Sequence, residues 1–427
     1  MKRILAHAAL LRGDLTVPGD KSISHRSIMI GSIANGVTEV TGFLHAADPL
    51  STITCMRSLG VEIDITKERI IINGNGLRSF KKPKSMLDAG NSGTTIRLLS
   101  GMLAGQTFST RISGDEYLVK RPMKRIVEPL RLMGARVEAT EAGTPPLQFE
   151  GSEGLKAIRY ALPIPSAQVK SAVLFAGLFA EGTTQVVETT PSRDHTERML
   201  GLRPVTESGS TVISVTGGTE IKAVPFLVPG DPSSAAFFVV AGLIAQDADI
   251  MIRNIGLNPT RIGFLDVLKR MGARITIENR RVIGGEEIGD IAVRHSELHS
   301  PGTLSGAIIP NIIDEIPALA VAGAFADGVF EVRDARELRS KECDRIAAVC
   351  ANLRSLGVTV DEYEDGFAFE TKRIVSSGEF KSFGDHRIAM AFGVAALALQ
   401  SESTMDDAGC VDISFPQFWE LLHSLTH

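Results

Sequence analysis

Six times along its 427 residues the chain repeats one local pattern, and that repetition constrains the fold more than any single motif. An apolar stretch rich in small residues opens near Ser22, Ser92, Ser166, Ser233, Asp314 and Asp385. The six stretches read SISHRSIMIGSIANG, SGTTIRLLSGMLAG, SAQVKSAVLFAGLFAEG, SSAAFFVVAGLIAQD, DEIPALAVAGAFADG and DHRIAMAFGVAALALQ, at offsets of 70, 74, 67, 81 and 71 residues. Each is long enough for a helix. In the first five units a second helical stretch follows and stops at Gly60, Gly134, Gly201, Gly272 or Gly357, ahead of alternating apolar residues that read as a strand. Each unit is therefore helix, strand, helix, strands. A period near seventy exceeds the roughly 20 to 50 residues of solenoids and propellers, which leaves six small α/β modules.

Two near-identical hexapeptides, VPGDKS at Val17–Ser22 and VPGDPS at Val228–Ser233, lie 211 residues apart, about half the chain. Pro-Gly signals a turn, and Asp or Ser beside a helix start signals a cap. Residues 3–17 look like strand, while the last module ends at its second helix, FPQFWELLHSL, so the start of the chain can supply what the end lacks. This predicts two lobes of three modules: residues 20–228 in one, residues 1–17 with 231–427 in the other. Hinge crossings near 17–22 and 228–233 would then flank a cleft of the kind small molecules favour.

Composition narrows the function. With 45 basic and 50 acidic residues the net charge is −5, and no block of lysine and arginine marks a nucleic-acid groove. The N-terminal apolar run is broken by His7, Arg12 and Asp14, and no apolar stretch reaches the ~18 residues of a membrane span. The expectation is a soluble, cytoplasmic protein. Cys55, Cys343, Cys350 and Cys410 have no CxxC spacing, so neither disulfides nor a zinc site is expected.

Polar residues collect at the starts of the small-residue helices, in DKSISHR, GNSGTTIR, SAQVK, DEIP and GDHR, with further cations in EYLVKRP, SRDHTER and RSKECDR. Helix N-termini favour anions, so many cations and a few carboxylates there suit a small substrate with several negative charges. GxxxxGK[ST], an early GxGxxG, GxSxG and HExxH are all missing from the sequence, which removes the usual support for nucleotide-binding, hydrolase and metalloprotease readings.

The strings PGDKSISHRS, DAGNSGTTIRLLSG, KRPM, PIPSAQVKSA, PSRDHTERML, PGDPSSAAFF, IDEIPALAVA, ELRSKECDRI and SFGDHRIAMA run in order over nearly the whole chain. Together they resemble the 5-enolpyruvylshikimate-3-phosphate synthase family, and DKSISHR, SAQ and SRDHTE resemble its second sequence class. The resemblance implies an α/β inverted-dome fold of two lobes, each with three βαβαββ modules. It implies transfer of the enolpyruvyl group of phosphoenolpyruvate to the 5-hydroxyl of shikimate 3-phosphate, with phosphate released by C–O cleavage. No cofactor or metal is implied, because the leaving group is already a phosphate.

The same resemblance assigns residues. Lys21, Ser22, Arg26, Ser166, Ala167, Gln168 and Arg193 match the shikimate 3-phosphate site, with Asp314 and Lys341. Asn91, Gly93, Thr94, Arg121, Lys341, Arg345, His386 and Arg387 match the phosphoenolpyruvate site, which Lys21 and Gln168 also approach. Asp314 and Glu342 match the acid–base pair, expected to serve the 5-hydroxyl and the C3 methyl group respectively, with Lys21 assisting near the bridging oxygen. Cys343 lies inside KECDR, where neighbouring Lys341 and Arg345 would favour a low thiol pKa, whereas a core-facing side chain would be inert. Two positions depart from the family pattern: Ile413 stands where the first class has a lysine, and Glu337 where it has an asparagine.

Two rival functions remain on the sequence. The UDP-N-acetylglucosamine enolpyruvyl transferases share fold and donor, but they carry a reactive cysteine where this chain reads SGDEYLVKRP. A non-catalytic ligand-binding protein of the same fold is the other. Lys21, Asp314 and Glu342 together favour catalysis, and a monomer is expected.

Overall fold

The computed structural model describes residues 2–8, 10–370 and 374–426. The chain divides into two compact units, Gly19–Val228, and Met1–Pro18 with Pro229–His427. Each has its own apolar core.

In the Gly19–Val228 unit the helices are α1 (Lys21–Ile33), α2 (Ala47–Ser58), α3 (Gly93–Ala104), α4 (Lys124–Leu132), α5 (Ala167–Gly177) and α6 (His195–Met199). The small-residue helices α1, α3 and α5 start where polar caps meet apolar runs. Asp20, Ser92 and Ser166 accept from the backbone N–H groups of Ile23, Thr95 and Val169, satisfying donors that a helix start leaves open. Beyond their first turns these helices are buried, as helices that are apolar all round must be. Small residues allow close contact: a Cβ on Gly101 of α3 would lie 2.1 Å from the Ala172 carbonyl oxygen of α5. The second-type helices end as the sequence requires, with Gly60 at φ 88° and Gly134 at φ 90°, where a side chain would be strained.

Three four-stranded sheets complete this unit and share one plan. A first strand runs parallel to its neighbour, and two antiparallel strands follow. In the first module the parallel strand is Phe226–Leu227, from the far end of the unit, beside Asn35–Thr41. Alternating burial along Thr183–Glu188 turns one face inward, the period-two signature of a sheet covered on one side.

The second unit holds α7 (Pro232–Ile244), α8 (Gly263–Arg270), the short α9 (Ile309–Ile312), α10 (Ile316–Ala324), α11 (Arg345–Ser355), α12 (His386–Leu397) and α13 (Phe418–Ser424). Helices α7, α10 and α12 pack on one another at its centre. Asp231 and Asp385 cap α7 and α12 through the N–H groups of Ser233 and Arg387. The helix expected to open at Asp314 instead starts at Ile316, with Pro317 in its first turn, where a missing N–H costs nothing. Asp314 is left in the turn before the helix, where its carboxylate meets Lys341, Arg345 and Arg387.

The first strands of the chain complete two sheets of this unit. Leu10–Thr16 lies parallel to Asp247–Gly256, and Arg3–Leu5 pairs antiparallel with Ser403–Met405. Among the described residues no single helix is long and apolar enough to cross a membrane.

Candidate active site

In the Gly19–Val228 unit the site residues stand at the starts of α1, α3 and α5. The ammonium of Lys21 meets Asp48 Oδ2, on α2, at 3.1 Å. Five residues on, Arg26 is buried, and its guanidinium donates to Thr196 Oγ1 at 2.7 Å, Ser171 Oγ at 2.8 Å and the Ser22 carbonyl at 3.0 Å. These bonds span α1, α5 and α6 and fix the arginine in one pose. Ser22 and Arg193 are half-buried.

His25 faces the other way. Its Nδ1 meets Thr52 Oγ1 at 2.7 Å, and that hydroxyl meets Thr95 Oγ1, also at 2.7 Å. Burial, with the charges of Lys21 and Arg26, pushes its pKa well below the usual histidine range, so it is neutral and ties α1 to α2 and α3.

Around α3 a second group forms. Arg121 is buried and donates to Asn91 Oδ1 at 2.6 Å, and Asn91 donates to Asp115 Oδ2 at 2.8 Å. Arg97, one turn into α3, donates to Gln168 Oε1 at 3.0 Å, and Gln168 donates to Thr94 Oγ1 at 3.3 Å. A Cβ on Gly93 would lie 2.7 Å from Arg97 Nη1 and 3.2 Å from Arg121 Nη1. A backbone with no side chain thus borders two guanidinium groups. Ser166 caps α5, and Ala167 opens it.

In the other unit one carboxylate gathers the cations. Arg345 Nη1 donates to Asp314 Oδ1 at 3.3 Å, Lys341 Nζ lies 3.7 Å from the same oxygen, and Arg387 Nη2 lies 3.8 Å from Oδ2 while its Nη1 donates to the Asp314 carbonyl at 3.0 Å. Arg345 also donates to Glu342 Oε2 at 2.6 Å and to both oxygens of Asp385, at 2.7 and 3.3 Å. It is fully buried. Burial works against its charge, but Asp385, Glu342 and Asp314 outweigh that and raise its pKa. Burial likewise opposes the charge of Asp385, and Arg345 reverses the balance, holding that carboxyl below its usual range. His386 is buried beside Arg387.

At three positions the structure decides what the sequence left open. Lys170, in the SAQVK cluster, is not an exposed cation but is buried against Glu188 and Glu197. Cys343 has no low thiol pKa: burial and then the charge of Asp385 push it up, with Sγ 3.7 Å from Asp385 Oδ2. Glu337 is not a free substitute for an asparagine, since it pairs with Lys341 at 3.4 Å. Ile413 lies at the end of the 3-10 turn Gly409–Ile413. Sequence reasoning missed Asp48, Asp115 and Asp385, the carboxylates that hold Lys21, Asn91 and Arg345. Asp385 alone had a signal, within the GDHR string.

The sequence pattern of the family described as EPSP synthase (3-phosphoshikimate 1-carboxyvinyltransferase) matches residues 6–422. The chain is 50% identical over 414 residues, 96% of each chain, to the 3-phosphoshikimate 1-carboxyvinyltransferase of Pelobacter propionicus. It is 49% identical over 99% of each chain to that of Salinibacter ruber. A solved EPSP synthase from Acinetobacter baumannii superposes with a TM-score of 0.87 at 46% identity, over 99% of this chain and 98% of that one. With the six modules, the cation-lined helix starts and nearly every residue in register with these relatives, the chain belongs to the EPSP synthase family.

Proposed function

We propose that Asp314, Glu342 and Lys21 move the protons of the family's reaction, and that the cations around them hold its two anionic substrates. The chain transfers the enolpyruvyl group of phosphoenolpyruvate to the 5-hydroxyl of shikimate 3-phosphate. In the addition step the 5-hydroxyl loses its proton and attacks C2, while C3 gains a proton and becomes a methyl group. In the elimination step that methyl group gives back a proton, the C2–O bond to phosphate breaks, and the leaving phosphate keeps the bridging oxygen and the bond's electron pair. Two relays are needed. We assign Asp314 to the hydroxyl, Glu342 to C3 and Lys21 to the bridging oxygen.

Lys21, Ser22, Arg26, Ser166, Ala167, Gln168 and Arg193 then hold shikimate 3-phosphate, with Asp314 and Lys341. Asn91, Gly93, Thr94, Arg121, Lys341, Arg345, His386 and Arg387 hold phosphoenolpyruvate, with Lys21 and Gln168. Forked guanidinium groups suit both carboxylate and phosphate. The observation that carries the reading is the convergence of Lys341, Arg345 and Arg387 on the single carboxylate of Asp314. In this reading the chain works as a cytoplasmic monomer with no metal, organic cofactor, nucleic acid or membrane.

Phosphate release from phosphoenolpyruvate tests the reading, with shikimate 3-phosphate, UDP-N-acetylglucosamine or no acceptor present. Release with shikimate 3-phosphate alone is expected. No release from folded protein would favour a binding protein that has lost catalysis.

We propose that glyphosate binds the phosphoenolpyruvate site weakly and in competition with the substrate, because Gly93 leaves it room while resemblance to the second sequence class goes with tolerance. Gly93→Ala drives a methyl group against Arg97 and Arg121, whose flexible ends must shift. We expect a loss of about 1–2 kcal/mol, a ~5- to 30-fold rise in KM for phosphoenolpyruvate, with a parallel weakening of glyphosate. Unchanged steady-state KM would remove Gly93 from that site.

A further inference from the structure

One turn past Ser166, helix α5 carries a lysine that solvent does not reach. Lys170 Nζ meets Glu188 Oε1 at 2.9 Å and Glu197 Oε1 at 2.7 Å, and donates to the Ser192 carbonyl at 3.2 Å. Its side chain is 0% exposed, and those of Glu188 and Glu197 are 5% and 3%. A lysine so enclosed cannot greet an incoming anion. Burying three charges is costly unless their geometry serves something else.

What the cluster grips is a short segment. Lys170 takes the carbonyl of Ser192, while Glu188 Oε2 accepts from its N–H at 3.2 Å and its hydroxyl at 2.8 Å. Every polar group of Ser192 is thereby fixed, and Arg193 is the next residue. At the other end Glu197, on α6, meets the same ammonium. Between the anchors lies Thr196, whose hydroxyl meets Ser171 Oγ at 2.7 Å and accepts from Arg26 Nε. Burial lifts the pKa of Glu197 above its usual range, against the pull of Lys170.

We propose that Lys170 is a positioning residue: with Glu188 and Glu197 it clamps residues 192–197 so that Arg193 and Arg26 meet the phosphate of shikimate 3-phosphate and make the enzyme prefer a phosphorylated acceptor. This rests on the assignment of Arg193 and Arg26 to that phosphate. The lysine touches no substrate. Its effect is on the acceptor alone.

The test compares Lys170→Met, the charge-conserving pair Lys170→Met/Glu197→Gln, and Arg193→Ala with the parent enzyme. Initial rates give kcat and KM for shikimate 3-phosphate and for phosphoenolpyruvate, and the ratio of kcat/KM for shikimate 3-phosphate to that for unphosphorylated shikimate. Each Lys170 variant that folds should raise KM for shikimate 3-phosphate about tenfold or more and compress the ratio, with KM for phosphoenolpyruvate within about twofold. General loosening of the fold would lower kcat without changing that ratio. The paired variant strands one carboxylate, Glu188, where Lys170→Met strands two, so it keeps the test open if Lys170→Met fails to fold. An unchanged ratio in a folded Lys170 variant, beside a collapsed ratio in Arg193→Ala, overturns the proposal and leaves the Arg193 assignment standing. An unchanged ratio in Arg193→Ala overturns both, and locates the fault in that assignment.

Discussion

Asp314→Ala and Glu342→Ala each lower kcat by about 10²- to 10⁴-fold, the range expected when a positioned acid or base is removed. Their stability losses stay small by comparison. Asp314 and Glu342 have side chains 14% and 21% exposed, and each accepts one hydrogen bond from Arg345, whereas Asp385 accepts two. Losing one such partner costs about 1–3 kcal/mol. The two variants should differ in kind. Without Glu342 the proton exchange at C3 slows, so enolpyruvyl product formed in D₂O carries less deuterium at its methylene; without Asp314 addition itself slows. Single-turnover rates and the deuterium content of the product read these separately. Undiminished turnover in either variant removes its assigned role.

The fold was legible where a local signal exists. Polar caps ahead of apolar runs at Asp20, Ser92, Ser166, Asp231 and Asp385 mark helix starts because an unpaired N–H needs an acceptor within a few residues. Gly60 and Gly134 mark helix ends for an equally local reason. Strand partners were not legible. A two-residue strand such as Phe226–Leu227 has no period to read, and its partner at Val40–Thr41 lies most of a unit away in sequence.

The site divides along the same line. Cation types and helix-start placement are properties of short strings, so Lys21, Arg26, Arg121, Arg345 and Arg387 could be named in advance. Which carboxylate neutralises which cation is set by tertiary packing. Asp48 and Asp115 look like ordinary acids in sequence, yet one meets Lys21 and the other orients Asn91. Lys170 shows the converse error: read by neighbourhood it is a cation for the substrate, whereas packing encloses it with two carboxylates.

Arg345→Met produces the largest change in stability. The guanidinium is 1% exposed and Asp385 is 0% exposed, so removing the cation leaves a buried carboxylate without its main compensating charge. Breaking such a pair costs about 3–5 kcal/mol. The pH dependence identifies the cause. In the parent, Arg345 holds the pKa of Asp385 below its unfolded value, about 3.9. That contribution is therefore present above pH ~4 and disappears as pH falls through the folded value. In the variant burial outweighs what His386 and the Arg387 N–H still contribute, and the folded pKa rises above the unfolded one, which reverses the sign: the variant is least stable at neutral pH and gains as pH falls toward 5. Adding Asp385→Asn removes the stranded charge and keeps the acceptor for the Arg387 N–H that caps α12. The double variant should recover part of the loss and lose the inverted slope. Because two units unfold, the comparison belongs to denaturant transitions followed at several pH values, not to one melting temperature. A single variant whose stability shows no gain between pH 7 and 5, where the parent's Asp385 contribution is constant, would mean that Asp385 finds another partner when Arg345 is gone.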